Sequence, residues 1–223
     1  MDFEVIYTYL PYYAEAFLLT IKIGWIGIVI SFVLGIVAAF IQHFKIPFFN
    51  VLVKGYVEFF RNTPLLVQLF FLYFGLPKIG IMISAQVCGA VGLGLLGGSY
   101  MAESIRSGLD AVPPSQSESA YELGMKRSLI FKEVILPQAV SISVPGIVAN
   151  IIFLLKETSV FSAISLMDLM FTAKDLIGLY YNTTECLFML VVAYCIMLLP
   201  VSFMGSIVEK KSRMKIFGGK RGI

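Results

Sequence analysis

Five stretches of this chain stay apolar over the distance a polypeptide needs to cross a bilayer, and that limits its fold more than any other feature. Residues 14–41, 57–76, 85–105, 139–155 and 187–208 approach or exceed the roughly 20 residues that a spanning helix requires. Backbone N–H and C=O groups find no water inside lipid, so each stretch must close its hydrogen bonds within itself as a helix. The short alternating strands of a membrane barrel are absent from the pattern. With 58% hydrophobic residues, 14% charged residues and a mean hydropathy of +0.88, the 223-residue chain lies far from soluble domains. The expectation is an all-α membrane protein with five transmembrane helices. They occupy residues 14–208, after an outer segment at 1–13 and before a basic tail at 209–223.

Lysine and arginine set the direction of insertion. Lys45 and Lys54 follow the first span, with Arg61 just inside the second. Arg106, Lys126, Arg127 and Lys132 lie in or beside the polar stretch after the third span. Lys210, Lys211, Arg213, Lys215, Lys220 and Arg221 follow the fifth. The other side holds Lys78, Lys156 and Lys174, with Asp2 and Glu4 near the N-terminus. The N-terminus is therefore outside, and the two basic loops and the tail are cytosolic. Asp2 and Glu4 also stand where a cleavable signal peptide would carry its basic residues. Tyr7, Tyr9, Tyr12 and Tyr13 read as an interfacial belt, and Lys22 as a side chain snorkelling to the outer headgroups.

One long polar interruption, residues 107–137, separates the third and fourth spans on the cytosolic side. Pro113 and Pro114 stop the preceding helix. Ser115 and Glu118 have the spacing of a capping box, and Gly124 suits the left-handed residue that ends a helix. A second short helix over 128–135 is expected to stop before Pro137. Helices this short are marginal alone in water, so the segment reads as a docking element for a partner.

The remaining motifs are weaker. His43 is the only histidine and lacks companions for a metal site. Cys88, Cys186 and Cys195 show no metal or disulfide spacing and read as small buried hydrophobes. Gly92, Gly94 and Gly97 match a dinucleotide fingerprint formally, but inside an apolar helix without a preceding strand. Gly94 and Gly98 as a close-packing GxxxG explain these glycines better. Glu58 and Arg61 are i,i+3 neighbours expected to pair. Tyr100, Glu103 and Arg106 fit a pathway lining or a structural ion pair. Lys156, Glu157, Thr158 and Ser159, at the end of the fourth span, fit either a zwitterion's two charges or an interfacial cap. Asn182-Thr-Thr184 matches a glycosylation sequon, a weak signal. The tail faces anionic lipid rather than nucleic acid, and no Walker A sequence occurs.

Glu118-Ser119-Ala120, then Gly124, then Val134-Ile-Leu136-Pro137 resembles the EAA motif of ABC importer permeases. Ser119 replaces the motif's middle alanine and Val134 its isoleucine. Phe59-Phe-Arg-Asn-Thr-Pro-Leu-Leu66, Ser99-Tyr-Met-Ala-Glu103 with Arg106, and Leu155-Lys-Glu-Thr-Ser159 are similar to stretches of the polar amino-acid subfamily. The likeness covers nearly the whole chain.

That resemblance implies an importer type I transmembrane domain in a bacterial inner membrane. It would work as a homodimer or heterodimer of permeases above two cytosolic ATPase subunits. ATP and Mg would sit in the ATPases, leaving this chain with no cofactor and no catalytic residue. An extracytoplasmic binding protein would deliver the amino acid. Glu118, Ser119, Ala120, Gly124, Val134, Leu136 and Pro137 would couple the spans to the ATPases. Candidate substrate contacts are Glu103, Lys156, Glu157, Thr158, Ser159 and Asp168, carboxylates meeting the α-amino group and hydroxyls the α-carboxylate. Two copies are expected to pack their glycine-bearing faces around a midplane path. The competing classes are a secondary transporter or channel without an ATPase, which would fit better with an inverted repeat, and a membrane scaffold.

Overall fold

The structure, a computed structural model, describes residues 1–217, and every regular element among them is helical. The helices are α1 Phe3–His43, α2 Phe49–Arg61, α3 Leu65–Phe70, α4 Ala85–Asp110, α5 Pro114–Glu122, α6 Arg127–Ile130, α7 Leu136–Glu157, α8 Leu169–Tyr180 and α9 Thr183–Phe217. Widened π turns cover Phe71–Gly75 and Phe131–Ile135, and tighter 3-10 turns cover Leu76–Ile79 and Thr158–Ile164. Four helical runs are long and apolar enough to cross a membrane, and the α2–α3 pair supplies a bent fifth. Lys220 and Arg221 of the expected basic tail lie outside the described residues, and its first part, to Phe217, continues α9.

The first span begins far earlier than expected. Asp2 accepts the Glu4 N–H at 2.9 Å and caps the helix at Phe3, and Glu4 suits the positive end of the dipole. With 41 residues α1 is about 60 Å long, twice the hydrocarbon core, so residues 3–13 form a helical extension of the first span. Its tyrosines divide: Tyr7 and Tyr12 are exposed, while Tyr9 and Tyr13 are buried against α8 and α9. The Tyr13 hydroxyl donates to the Cys186 carbonyl at 2.7 Å, and the Asn182 amide donates to the Tyr9 hydroxyl at 2.9 Å. Cys88 and Cys186 are buried as expected, but Cys195 is exposed on the outer face of α9.

The second span is broken. α2 and α3 meet at 104° across Asn62–Pro64, where Pro64 has no N–H to continue the ladder. Side chains bind carbonyls around the break: Asn62 donates to Glu58 O at 2.7 Å, Thr63 to Phe59 O at 2.7 Å and Gln68 to Thr63 O at 2.9 Å. Sharp bends at membrane depth survive only with such local satisfaction.

α4 is the centre of the bundle, packed on α1, α2 and α7. A Cβ on Gly94 would meet Ile30, on Gly98 would lie 2.9 Å from Leu34, and on Gly97 would strike Ser31 and Leu154, the latter at 2.6 Å. The reciprocal holds for α1, where a Cβ on Gly27 would lie 2.8 Å from Leu93. Ser31 donates across the seam to Leu93 O at 3.2 Å. The glycine face expected to pack against a second copy is thus consumed inside the subunit, because these backbones approach too closely to admit a side chain.

Two local expectations on the cytosolic side are corrected. α5 starts at Pro114 with Pro113 before it, so Ser115 lies inside the helix and no side chain caps it; the Ser115–Glu118 box does not form. The helix after it does not stop before Pro137. α6, the π turn, α7 and the 3-10 turn after it run on as one helical stretch, Arg127–Ile164, of 38 residues. Pro137 sits in the first turn of α7, where a missing N–H is tolerated, and the widened turn before it absorbs the ring. The Gln138 amide takes the Val134 carbonyl at 2.8 Å.

The α1–α4–α7 seam yields a stability prediction. Gly97→Leu is expected to destabilise the fold by about 3 kcal/mol through overpacking. Gly178→Ala, whose new Cβ meets nothing within 4 Å, should leave stability unchanged or slightly raised. Melting of the two purified variants, followed by size exclusion after heating, checks the difference; equal midpoints would refute the close-packed seam.

Candidate functional site

Charged groups gather on one face of the C-terminal half of α4. Glu103, Arg106 and Asp110 recur at i, i+3 and i+7, so they share a stripe. Arg106 reaches both carboxylates, Glu103 at 2.8 Å and Asp110 at 3.0 Å. Glu103 also faces Arg61 of α2 at 3.6 Å, and Asp110 meets His43 at the end of α1 at 2.9 Å. A chain of charges thus links three helices in the order His43, Asp110, Arg106, Glu103, Arg61. Half-exposed pairs of this kind contribute about 0–1 kcal/mol each, so the chain orients its members more than it stabilises the fold. The Arg61 guanidinium also lies 5.4 Å from the centre of the Tyr100 ring.

Arg61 does not pair with Glu58, its i,i+3 neighbour. The bend at Asn62 directs Arg61 toward α4, and the Asn62 amide reaches the Glu58 carboxylate at 3.3 Å instead. The same bend opens a cleft of about 360 Å³ whose polar lining is Arg61, Asn62, Thr63, Tyr100 and Glu157, closed by Leu96 and Phe153. One cation and one carboxylate from different spans therefore face the same space.

The six candidate substrate contacts separate on this geometry. Glu157 lines the cleft and Glu103 holds Arg61 at its edge. Lys156 is exposed, outside the cleft lining. Thr158 is fully buried and donates to Leu155 O at 2.7 Å, with its methyl 3.3 Å from where a Cβ on Gly24 would lie. Ser159 is half-buried, and its carbonyl accepts the Ser162 hydroxyl at 3.1 Å. Asp168 is fully buried and caps α8, accepting the Phe171 N–H at 3.0 Å. Arg61, Asn62, Thr63 and Tyr100 are absent from the sequence-derived set of contacts. Their signal was a proline with three polar neighbours inside an apolar span, the mark of a broken helix whose freed backbone lines a cavity.

On the cytosolic side, α5 ends as its glycine requires. Gly124 has φ +79°, the Gly124 N–H bonds Tyr121 O at 2.9 Å, and the Met125 N–H bonds Ala120 O at 3.2 Å. Ala120 is buried beneath the helix, while Glu118 and Ser119 are exposed. Tyr121 and Leu123 are also exposed, at 64% and 83%. Val134 and Leu136 are half-buried and Pro137 is exposed beyond the π turn. A groove of about 570 Å³ separates α5 from the end of α1, lined by Glu118, Tyr121, Arg127, Phe131, Phe44 and His43. Apolar side chains on a nine-residue cytosolic helix mark a surface made to be covered.

Asp168 carries a pH signature. Burial pushes its carboxyl from 3.8 up to about 7, against the opposing pull of the Phe171 N–H, and its Oδ2 has no partner among the described residues. The folded chain then holds a proton that the unfolded chain has released. Stability from this group is full below about pH 4 and is lost as pH rises toward 7. Asp168→Asn keeps a capping oxygen but does not titrate. The fall in melting midpoint between pH 5 and pH 8 is therefore expected to be smaller in that variant, as thermal melts across the range would register. An identical fall in both proteins would exclude Asp168 as its source.

Residues 31–214 match the family described as "Binding-protein-dependent transport system inner membrane component". The arginine transport system permease protein ArtQ of Bacillus subtilis is 33% identical over 212 residues, covering 95% of this chain and 97% of its own. A Rickettsia felis protein provisionally named as a glutamine transport system permease is 34% identical over 213 residues, covering 94% of this chain and 98% of its own. A crystal structure of an amino acid ABC transporter with histidines superposes with a TM-score of 0.88 at 31% identity, over 95% of this chain and 99% of that one. The inward-facing MetNI methionine ABC transporter, at 19% identity, shares the fold with a TM-score of 0.76 over 92% of this chain and 98% of that one. The family match runs from within α1 almost to the end of α9 and takes in the charge chain, the cleft and α5. By that evidence the chain belongs to the binding-protein-dependent transport system inner membrane components, and is a multi-pass permease subunit of the bacterial inner membrane.

Proposed function

We propose that this permease carries a polar amino acid inward as the membrane part of an ATP-driven importer. The observation that carries this reading is α5: a short cytosolic helix, ended by a left-handed glycine, with Tyr121 and Leu123 exposed beside a groove. One ATPase subunit docks at α5 of each of two permeases, and the two ATPases bind ATP and Mg. A second permease, identical or homologous, completes the path, and an extracytoplasmic binding protein supplies the solute. A secondary transporter or channel has no use for such a docking helix.

The cleft at the α2–α3 bend meets the solute in this reading. Arg61 takes the α-carboxylate, Glu157 takes the α-amino group, and Asn62 and Thr63 supply neutral hydrogen bonds. Arginine binds a carboxylate in fork geometry, and both Glu103 and Tyr100 lie against the Arg61 guanidinium. The relatives named for arginine and glutamine are consistent with a solute recognised through groups that all α-amino acids share.

Two variants test the two halves of the proposal in complexes reconstituted with ATPase and binding protein. Gly124→Glu meets open space, but at φ +79° any side chain is strained; the turn into α6 is spoiled and ATP-dependent uptake is expected to vanish while membrane insertion persists. Undiminished uptake would count against docking at α5. Glu157→Gln removes a charge-assisted hydrogen bond of about 1.5–3 kcal/mol, so uptake should fall roughly tenfold to a hundredfold. Normal uptake at normal affinity would return Glu157 to an interfacial cap.

A further inference from the structure

A second polar cavity, of about 480 Å³, lies on the cytosolic side of the Arg61–Glu103 contact. Glu103 borders this cavity while Arg61 borders the cleft above, so the ion pair stands between the two spaces. Its walls are two helix stripes. On α4 the stripe is Glu103, Arg106 and Asp110, where Arg106 bridges the two carboxylates and Arg61 and His43 meet them from α2 and α1. On α2 the stripe is Asn50, Lys54 and Glu58, one turn apart at i, i+4 and i+8.

The charges of the α2 stripe have no such ion-pair partners among the described residues. Among the described residues, neither Lys54 nor the neighbouring Lys45 has a carboxylate within 4.0 Å. Asn50 Oδ1 is buried with no hydrogen-bond partner, and Glu58 accepts only from the Asn62 amide. A buried carbonyl oxygen without a partner is costly, and an ammonium would supply the missing donor. Lys54 and Lys45 offer cations to a carboxylate, while Asn50 and Glu58 one turn away offer acceptors to an amine. Neighbours at i,i+4 stand about 6 Å apart, within the span of one small zwitterion. A lone anion, such as a lipid phosphate, would face Glu58, Glu103 and Asp110 as well.

We propose that this cavity is an exit-side site for the α-amino and α-carboxylate groups of the transported amino acid, and that cytosolic amino acid bound there slows turnover. The proposal rests on the importer reading above. Solute that passes the Arg61–Glu103 pair is held by Lys54, Asn50 and Glu58 before release, so a high cytosolic concentration refills the site from below.

The test uses the complete permease–ATPase complex in nanodiscs, titrated separately with radiolabelled arginine and glutamine, and in proteoliposomes with the same amino acid added on the ATPase face. Two molecules of one probe per permease chain are expected. Lys54→Met should lose one, Lys54→Arg should regain it, and Glu157→Gln should lose the other. The concentration on the ATPase face that halves uptake should rise at least fivefold in Lys54→Met. One molecule per chain, lost in Glu157→Gln and untouched by Lys54→Met, would overturn the exit site and leave the upper cleft standing. One molecule that depends on Lys54 but not on Glu157 would support the exit site and remove the upper cleft. No binding of either probe to any form would overturn both.

Discussion

The close approach of α1 to α4 is the constraint on which the rest of the subunit depends. Lipid tails are as apolar as leucine, so helices inside a bilayer gain little from hiding apolar surface from one another. What holds them is contact, and contact falls away steeply with separation. Here the seam is reciprocal: Gly27 of α1 receives Leu93, and Gly94 of α4 receives Ile30. Gly35 lies against Met101, with the Ala102 N–H 3.1 Å from where its Cβ would be, and Ser31 ties the two backbones across the middle. This registry puts Asp110 beside His43, and with it the whole charge chain along α4.

Around that rigid seam, the chemistry collects where the helices are interrupted. Regular helix satisfies its own backbone and offers a ligand little. The break at Asn62–Pro64 frees carbonyls, turns Arg61 across to α4 and opens a cleft between spans. The second α7 terminus, where the helix tightens at Thr158, brings Glu157 to the same cleft. The strained turn between α1 and α2, with Lys45 and Phe48 at positive φ, brings Lys45 to the lower cavity. Irregular backbone leaves polar groups that must find partners, and the interruptions lie beside the polar cavities.

How much of this the sequence reveals depends on the range of the forces involved. Span number and direction need only composition and the placement of lysine and arginine, and both are legible. Gly124 is legible because a left-handed residue is a local requirement. The start of α1 is not: its tyrosines read as interfacial, but Tyr9 and Tyr13 are held by α8 and α9, more than 150 residues away in the case of the 173-residue separation from Asn182 and Cys186. Arg61 and Glu58 have helical spacing for a pair, yet a bend three residues on gives Arg61 a tertiary partner. Asp168 reads as a free carboxylate beside a polar cluster, whereas its backbone geometry makes it a buried cap. Pro137 reads as a stop, because nothing in the sequence announces the widened turn that accommodates it.

The helix that continues through Pro137 bears on how such a subunit would couple motion to transport. A helix ending before Pro137 would leave a hinge between the docking element and the fourth span, and force applied at α5 would dissipate there. Instead α6, the π turn and α7 form one run from Arg127 to Glu157, about 46 Å at helical rise. α5 packs against the cytosolic end of that run at the π turn, and Glu157 stands near its outer end. A displacement imposed on α5 by a docked partner is therefore carried along one continuous helix to a residue lining the cleft. The same run is packed along its length on α4 through Gly97, Gly108 and Gly146, where a Cβ would meet Leu154, Ala139 O and Ser104 within 2.6 to 2.9 Å. Contacts this close leave α7 little freedom to slide past α4, so the two must move as a unit. The cleft then changes shape chiefly at its other wall, the bent α2–α3 pair, which contributes Arg61, Asn62 and Thr63.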